Sequence, residues 1–186
     1  ALQIPIVKRT SRIVKNPPEI REMTYREMRE LAYAGFGVFH DEAIIPAIRE
    51  NIPISIKNTN FPKMNGTMIL PKRNIDGNEI AGISSSNGFT GLYIDKYMMN
   101  REIGFGRKLL QILEEEGISY EHSPSGIDNM SVILKSSLFD KKEKIIIDRI
   151  KDELNPDAIN IEHDLALLMV VGEGMCYSIG MAAQAT

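Results

Sequence analysis

The stretch Met98-Met-Asn-Arg-Glu-Ile-Gly-Phe-Gly106 carries two glycines where a loop gives way to a helical pattern. The first N–H groups of a helix lack intrahelical partners, and the helix dipole adds positive character there. With Ile103, Gly104, Phe105 and Gly106 as the first turn, small residues would let a carboxylate approach the backbone. Downstream, Ile118-Ser-Tyr-Glu-His122 alternates as a half-buried strand does and carries a carboxylate, Glu121, toward the same groove. Amides for a negative group and a carboxylate for a positive one suit a free amino acid. The pattern points to sensing of a small zwitterion. By spacing alone, Glu121 fits that role and the role of a water-facing strand residue equally well.

Other chemistries find no matching residues. No Walker-type phosphate loop occurs in the 186 residues, and Gly172-Glu-Gly174 reads as a turn after a strand. His40, His122 and His163 lie far apart without metal-ligand spacing, so no metal site is expected. No Ser-His-Asp set can be assembled. Cys176, the single cysteine, excludes an internal disulfide, fits a reducing compartment and reads as a small buried apolar residue. The charge runs at 141–144 and 114–116 read as solvated helix faces.

Composition narrows the class further. With 22 basic and 25 acidic residues, the net charge of −3 gives no general drive toward nucleic acid or anionic membrane. Aromatic residues at 6% also argue against the stacking surface of an RNA-binding sheet. The longest apolar run, residues 165–171, is far too short to span a bilayer, and a cytoplasmic protein is expected.

The helices and strands around these residues fall into three blocks. In the first, Thr24-Tyr-Arg-Glu27 is a capping-box pattern opening a helix with Met28, Leu31 and Ala32 inward, closed by Gly35. A second helix from Asp41 has to hold Pro46 in its first turns, and residues 52–57 read as a strand. The Pro, Asn and Gly residues of 58–77 suggest a linker and a domain boundary. In the second block, residues 80–85 and 89–95 look extended, with Asn87-Gly88 offering a tight hairpin turn. A helix with Phe105, Leu109, Ile112 and Leu113 inward follows, stopped by Gly117. Strands through Ile118 and through Met130, Val132 and Leu134 come next. A second helix is expected to be capped at Asp140 by Glu143, to bury Ile146, Ile147, Ile150 and Leu154, and to end at Asn155-Pro156. A strand through Ile159 and Ile161 completes the order βαββαβ. Two helices then cover one face of an antiparallel sheet, the ferredoxin-like α+β arrangement. The third block opens on residues 165–171 as a strand buried on both faces and continues into a helix from Gly180. Such a fragment cannot bury its own apolar faces, so it reads as an incomplete second unit or as a segment that leans on a partner.

Several ordered segments from Arg12 onward resemble the aspartate kinase family, most closely its monofunctional Gram-positive type. Arg12-Ile-Val-Lys-Asn-Pro17 is similar to the family's Asp-Pro-Arg-Ile-Val segment. Glu30-Leu-Ala-Tyr-Ala-Gly-Phe-Gly-Val-Phe-His40 resembles its Glu-Leu-Ala-x-x-Gly-Ala-Lys-Val-Leu-His stretch. Ile52-Pro-Ile-Ser-Ile-Lys-Asn-Thr59 with Gly66-Thr67 resembles the strand and turn that end the kinase domain. Gly104-Phe105 and Ile118-Ser-Tyr-Glu121 look like the effector loop and strand of a first ACT domain, and Val170-Val-Gly-Glu-Gly-Met175 like the opening of a second.

The resemblance implies a specific organisation. Residues 1–70 would be the C-terminal part of an amino-acid-kinase α/β domain, with 1–11 unmatched and 71–78 a linker. Residues 79–163 would be the first ACT domain and 164–186 the incomplete start of the second. The parent enzyme would transfer the γ-phosphoryl group of ATP, with Mg2+, to the β-carboxylate of aspartate, on the route to lysine, threonine and methionine. ACT domains bind end-product amino acids and pair between subunits, which implies a homodimer and L-lysine, or second L-threonine, as effector. The effector carboxylate would meet amides around Ile103, Gly104 and Phe105. Met99 would line the pocket, Glu121 would hold the amino groups, and the main chain at Ser119 and Tyr120 would contribute.

The departures bear on activity. The family's Lys-Phe-Gly-Gly phosphate-binding motif does not occur in these residues, nor do its aspartate-binding segments. Arg12 would then be the only nucleotide contact left, and the lysine of the Gly-Ala-Lys-Val segment is replaced by Gly37. Phosphoryl transfer rests on positioning and charge neutralisation, so these 186 residues alone are expected to be inactive and to need no cofactor. A non-catalytic amino-acid-sensing module and a purely structural pairing domain are the alternatives.

Overall fold

The structure, a computed structural model, describes residues 19–35, 41–60, 63, 65–75, 77, 79–181 and 183. Two compact units divide the chain, one from residues before Asn87 and after Ala166, the other from residues 87–166.

In the first unit, β1 (Glu22–Thr24) runs directly into α1 (Tyr25–Tyr33). The capping box forms as expected: the Glu27 N–H donates to Thr24 Oγ1 at 3.2 Å, and the Thr24 N–H donates to Glu27 Oε2 at 2.8 Å. Gly35, at φ +99°, follows the helix in a left-handed conformation that other residues adopt at a cost. A 3-10 turn over Asp41–Ile44 feeds α2 (Ile45–Arg49). Pro46 sits in its first turn, where a missing N–H costs nothing. Strand β2 (Ile54–Ile56) and β3 (Thr67–Leu70) complete a three-stranded sheet of order β1-β3-β2, parallel between β1 and β3 and antiparallel between β2 and β3. Ile20, Met23, Met28, Leu31, Ile44 and Ile69 form its core, together with Val171 from the far end of the chain.

The second sheet has the order β5-β6-β4-β7, from β4 (Gly82–Asp95), β5 (Tyr120–His122), β6 (Asn129–Lys135) and β7 (Ala158–Val171). Within the second unit, β4 pairs antiparallel with β6 from Phe89↔Lys135 to Asp95↔Asn129. Helix α3 (Phe105–Glu115) buries Phe105, Leu109, Ile112 and Leu113. A single turn, α4 (Ser136–Phe139), precedes α5 (Glu143–Leu154), which buries Ile146, Ile150 and Leu154. Both helices pack against Leu92, Ile94, Met130, Val132 and Leu134, alternate residues of the central strands. This is the ferredoxin-like layout read from the sequence.

Several expectations are corrected. Residues 82–95 form one strand, without a hairpin at Asn87-Gly88. A two-residue type I′ turn needs positive φ at both central residues, and among these two only Gly88 has it, at +89°. Residues 158–171 are likewise one strand rather than two, and Leu168 is 61% exposed, so the apolar run is not buried on both faces. Strand β3 lies inside the stretch expected to be a linker. Asp140 caps the C-terminus of α4, and α5 begins at Glu143 without a side-chain cap. The residues after 166 join the first unit, and 3-10 turns over Glu173–Tyr177 follow β7. Of the expected terminal helix, only residues 180, 181 and 183 are described. Cys176 is exposed rather than buried.

Candidate functional site

The loop between β4 and α3 is held from two sides. The Lys96 N–H donates to the Asp128 carbonyl at 2.8 Å, and the Asn100 N–H to the Ile127 carbonyl at 3.1 Å. The Met98 N–H reaches Asp128 Oδ1 at 2.8 Å, and the Tyr97 N–H reaches Asp157 Oδ2 at 2.6 Å. Met98 adopts φ +61°, a left-handed conformation that a non-glycine residue keeps only where its surroundings impose it. Glu102 sits between Lys96, at 2.5 Å, and Lys108, at 3.5 Å. The Lys96 hydrogen bond, ahead of every other influence, holds the Glu102 carboxyl below the ordinary carboxylate range. The Lys96 ammonium also donates to the Leu154 carbonyl at 2.5 Å and lies 5.5 Å from the Phe105 ring centroid.

The expected effector residues occupy three different places. Gly104, at φ +83°, is the N-cap of α3, and Phe105 and Gly106 open its first turn. Ile103 lies outside the helix and is 96% exposed, which corrects its place in that turn. The Phe105 N–H already donates to the Glu102 carbonyl at 3.3 Å. A Cβ at Gly106 would only touch Met130 Sδ at 3.4 Å, so packing does not demand a glycine there. Met99 is buried in the core beside these residues.

Ser119 and Tyr120 line a groove of about 460 Å³ with Leu110, Glu114, Gly117 and Ile118, at the C-terminal end of α3. That is the opposite end of an 11-residue helix, roughly 16 Å long at 1.5 Å per residue. Glu121 pairs with Lys135 at 3.4 Å, and its side chain is 10% exposed. Lys135 alternates with the helix-facing Leu134 and Val132, so this ion pair lies on the sheet face away from the helices. Within one chain, then, the α3 amides and the Glu121 carboxylate are not brought together. Arg12, Gly37 and His40 lie outside the described residues.

Sequence reasoning missed two clusters. In the first unit, Glu27 accepts a bidentate pair from Arg73, Nε to Oε2 and Nη2 to Oε1, each at 2.7 Å. It also accepts the Glu173 N–H at 2.9 Å. The Arg73 and Glu27 side chains are 3% and 1% exposed. A cleft of about 580 Å³ beside them is lined by Tyr25, Arg29, Tyr33, Ile48 and Met169. The capping box signalled Glu27 locally, but no periodicity links it to residues 46 and 146 positions away. In the second unit, Asp140, Glu143 and His163 converge. Histidine spacing alone gave no sign of it, because the other two donors are carboxylates on a different element.

Strand order, helix placement and the loop before α3 define the second unit as an ACT-type ferredoxin-like domain. No family model matches the chain. It is 56% identical over 173 residues to aspartokinase 3 of Bacillus subtilis, covering 92% of this chain and 38% of that protein. It superposes on the crystal structure of aspartate kinase from Clostridium acetobutylicum with a TM-score of 0.88 at 44% identity, covering 93% of this chain and 40% of that one. Escherichia coli aspartokinase III in complex with aspartate and ADP shares the fold, with a TM-score of 0.68 at 20% identity over 93% of this chain and 39% of that one. The chain belongs to the aspartate kinase family and spans about two fifths of the length of these relatives.

Proposed function

We propose that the chain is the part of an aspartate kinase that carries feedback control. The parent protein transfers the γ-phosphoryl group of ATP, with Mg2+, to the β-carboxylate of L-aspartate. These residues carry no catalytic group of their own and sense an end-product amino acid, L-lysine first and L-threonine second. The observation that carries this reading is the 56% identity to aspartokinase 3 along 92% of the chain, with an ACT-type unit at its centre. The kinase-like α1 and β1–β3 of the first unit favour part of an enzyme over a stand-alone sensor.

The separation of the expected contacts favours a site shared by two subunits. One copy supplies first-turn amides near Gly106, with Met99 behind them. The other supplies Glu121 together with Ser119 and Tyr120. A cationic side chain on the effector would compete with Lys135 for Glu121, which is why lysine is preferred. An effector shifts the equilibrium toward an inhibited state only through its differential affinity for that state. Coupling of about 1–3 kcal/mol would be typical.

Titration calorimetry on the 186-residue chain should record saturable L-lysine binding that Glu121→Ala weakens. Binding unchanged by Glu121→Ala removes that residue from the site. Binding of neither amino acid overturns the sensing role. In a coupled assay, the full-length parent should phosphorylate aspartate and these residues alone should not.

A further inference from the structure

Residues 140, 143 and 163 present three metal-ligating side chains from two elements, with one donor atom of each inside 4.8 Å of the others. Their backbones are fixed. The Asp140 N–H closes α4 onto the Ser136 carbonyl at 2.9 Å, Glu143 is the first residue of α5, and His163 lies in β7. His163 Nδ1 stands 3.8 Å from Asp140 Oδ1, and Nε2 stands 3.4 Å from Glu143 Oε2. A neutral imidazole has one N–H and one lone pair, so one of its nitrogens would turn a lone pair toward an anionic oxygen. A proton or a metal ion between these groups would relieve that repulsion. The separations are also longer than hydrogen bonds. One ion takes a single nitrogen of the ring, and the 3.4 Å between Nε2 and Glu143 Oε2 is close to the roughly 3.3 Å that separates two ligands on one tetrahedral zinc ion.

We propose that Asp140, Glu143 and His163 form a surface site for a divalent transition-metal ion of the zinc type. Two carboxylates and a neutral imidazole balance the charge of such an ion, and water fills the fourth position. The imidazole nitrogen selects against Mg2+ and Ca2+, which take oxygen ligands. Lys142, one of the two lysines that flank Glu143, does not oppose the ion. Its ammonium is turned toward Glu116, 2.5 Å from the carbonyl and 3.5 Å from the carboxylate. Occupancy ties the α4–α5 junction to β7, so the ion binds the folded state and stabilises it. The assignment does not depend on the aspartate kinase reading.

The test uses the whole 186-residue chain, untagged and stripped with chelator, in wild-type and Cys176→Ser forms so that the exposed thiol is not a ligand. Calorimetric titration with ZnCl2 should show one saturable equivalent in both forms, retained in excess MgCl2, together with a raised thermal midpoint. His163→Ala, and separately the Asp140→Asn, Glu143→Gln double variant, should abolish both. Circular dichroism of each variant establishes that it is folded. Zinc binding that survives His163→Ala overturns the proposal. So does a His163 ring whose NMR signals move with pH but not with zinc, which would make the cation a proton shared with the two acids.

Discussion

Glu27 is the residue on which the first unit converges. Its carboxylate closes the α1 capping box, receives both arms of the Arg73 guanidinium and takes the Glu173 amide. Burial alone would push its carboxyl upward. The hydrogen bonds from Arg73, Glu173 and Thr24, with the Arg73 charge, outweigh that and hold it below the ordinary range. Removing one partner of a buried ion pair leaves the other charged and unsatisfied. Glu27→Gln should therefore lower the stability of the unit by about 3–5 kcal/mol in urea unfolding. The pH dependence follows from the direction of the shift. The unfolded chain binds the proton more readily, so the contribution is full above the unfolded carboxyl value and disappears as pH falls through the lower folded one. Acid unfolding of the wild type should be steeper in that window than acid unfolding of Glu27→Gln.

Among the elements, α3 and the turn after β7 make opposite demands on their residues. Helix α3 depends on apolar spacing: Leu109, Ile112 and Leu113 recur on one face and are almost wholly enclosed. Ile112→Ala should cost about 2–5 kcal/mol by calorimetric or denaturant unfolding, as transfer and cavity terms add. The turn depends on contact with another segment. Gly172 has an extended φ of 176°, so backbone freedom does not explain a glycine there. An added Cβ would stand 2.0 Å from the Glu79 carbonyl oxygen, which is backbone and cannot swing aside. Gly172→Ala should cost about 1–3 kcal/mol and expose the Glu79 region to earlier amide exchange. Arg149 joins α5 to α3 through Glu115, at 2.6 Å, and Glu116, at 3.3 Å, and within α5 reaches Glu153 at 2.9 Å. It is a surface network that salt should weaken.

At the level of the molecule, the proposed function predicts that ligand binding and assembly are linked. If the amides of one subunit and Glu121 of another hold one amino acid, L-lysine should move the sedimentation profile toward dimer. It should also raise the thermal midpoint. At a free concentration 100 times Kd, the stabilisation should be about 2.7 kcal/mol. Glu121→Ala should lose more affinity for lysine than for threonine, because only lysine carries a second ammonium. No described helix is long and apolar enough to cross a membrane.

Local elements were legible from the residues alone. The Thr24-x-x-Glu27 box, the 3.6-residue spacing in α3 and α5, and the alternation through Met130, Val132 and Leu134 follow from backbone geometry and appear where expected. Order along the chain was enough for the ferredoxin-like layout, because helix-covered sheets admit few connections. How distant residues meet emerged with the three-dimensional fold. Arg73 and Glu173 reach Glu27 from 46 and 146 positions away, the residues after 166 return to the first unit, and His163 comes to Asp140 and Glu143 from another element. It also turned Glu121 to the face with Lys135, away from the α3 amides. Periodicity records which face of an element is apolar. It does not record which remote polar group that element will face, because such a contact is fixed by packing and hydrogen bonding in three dimensions.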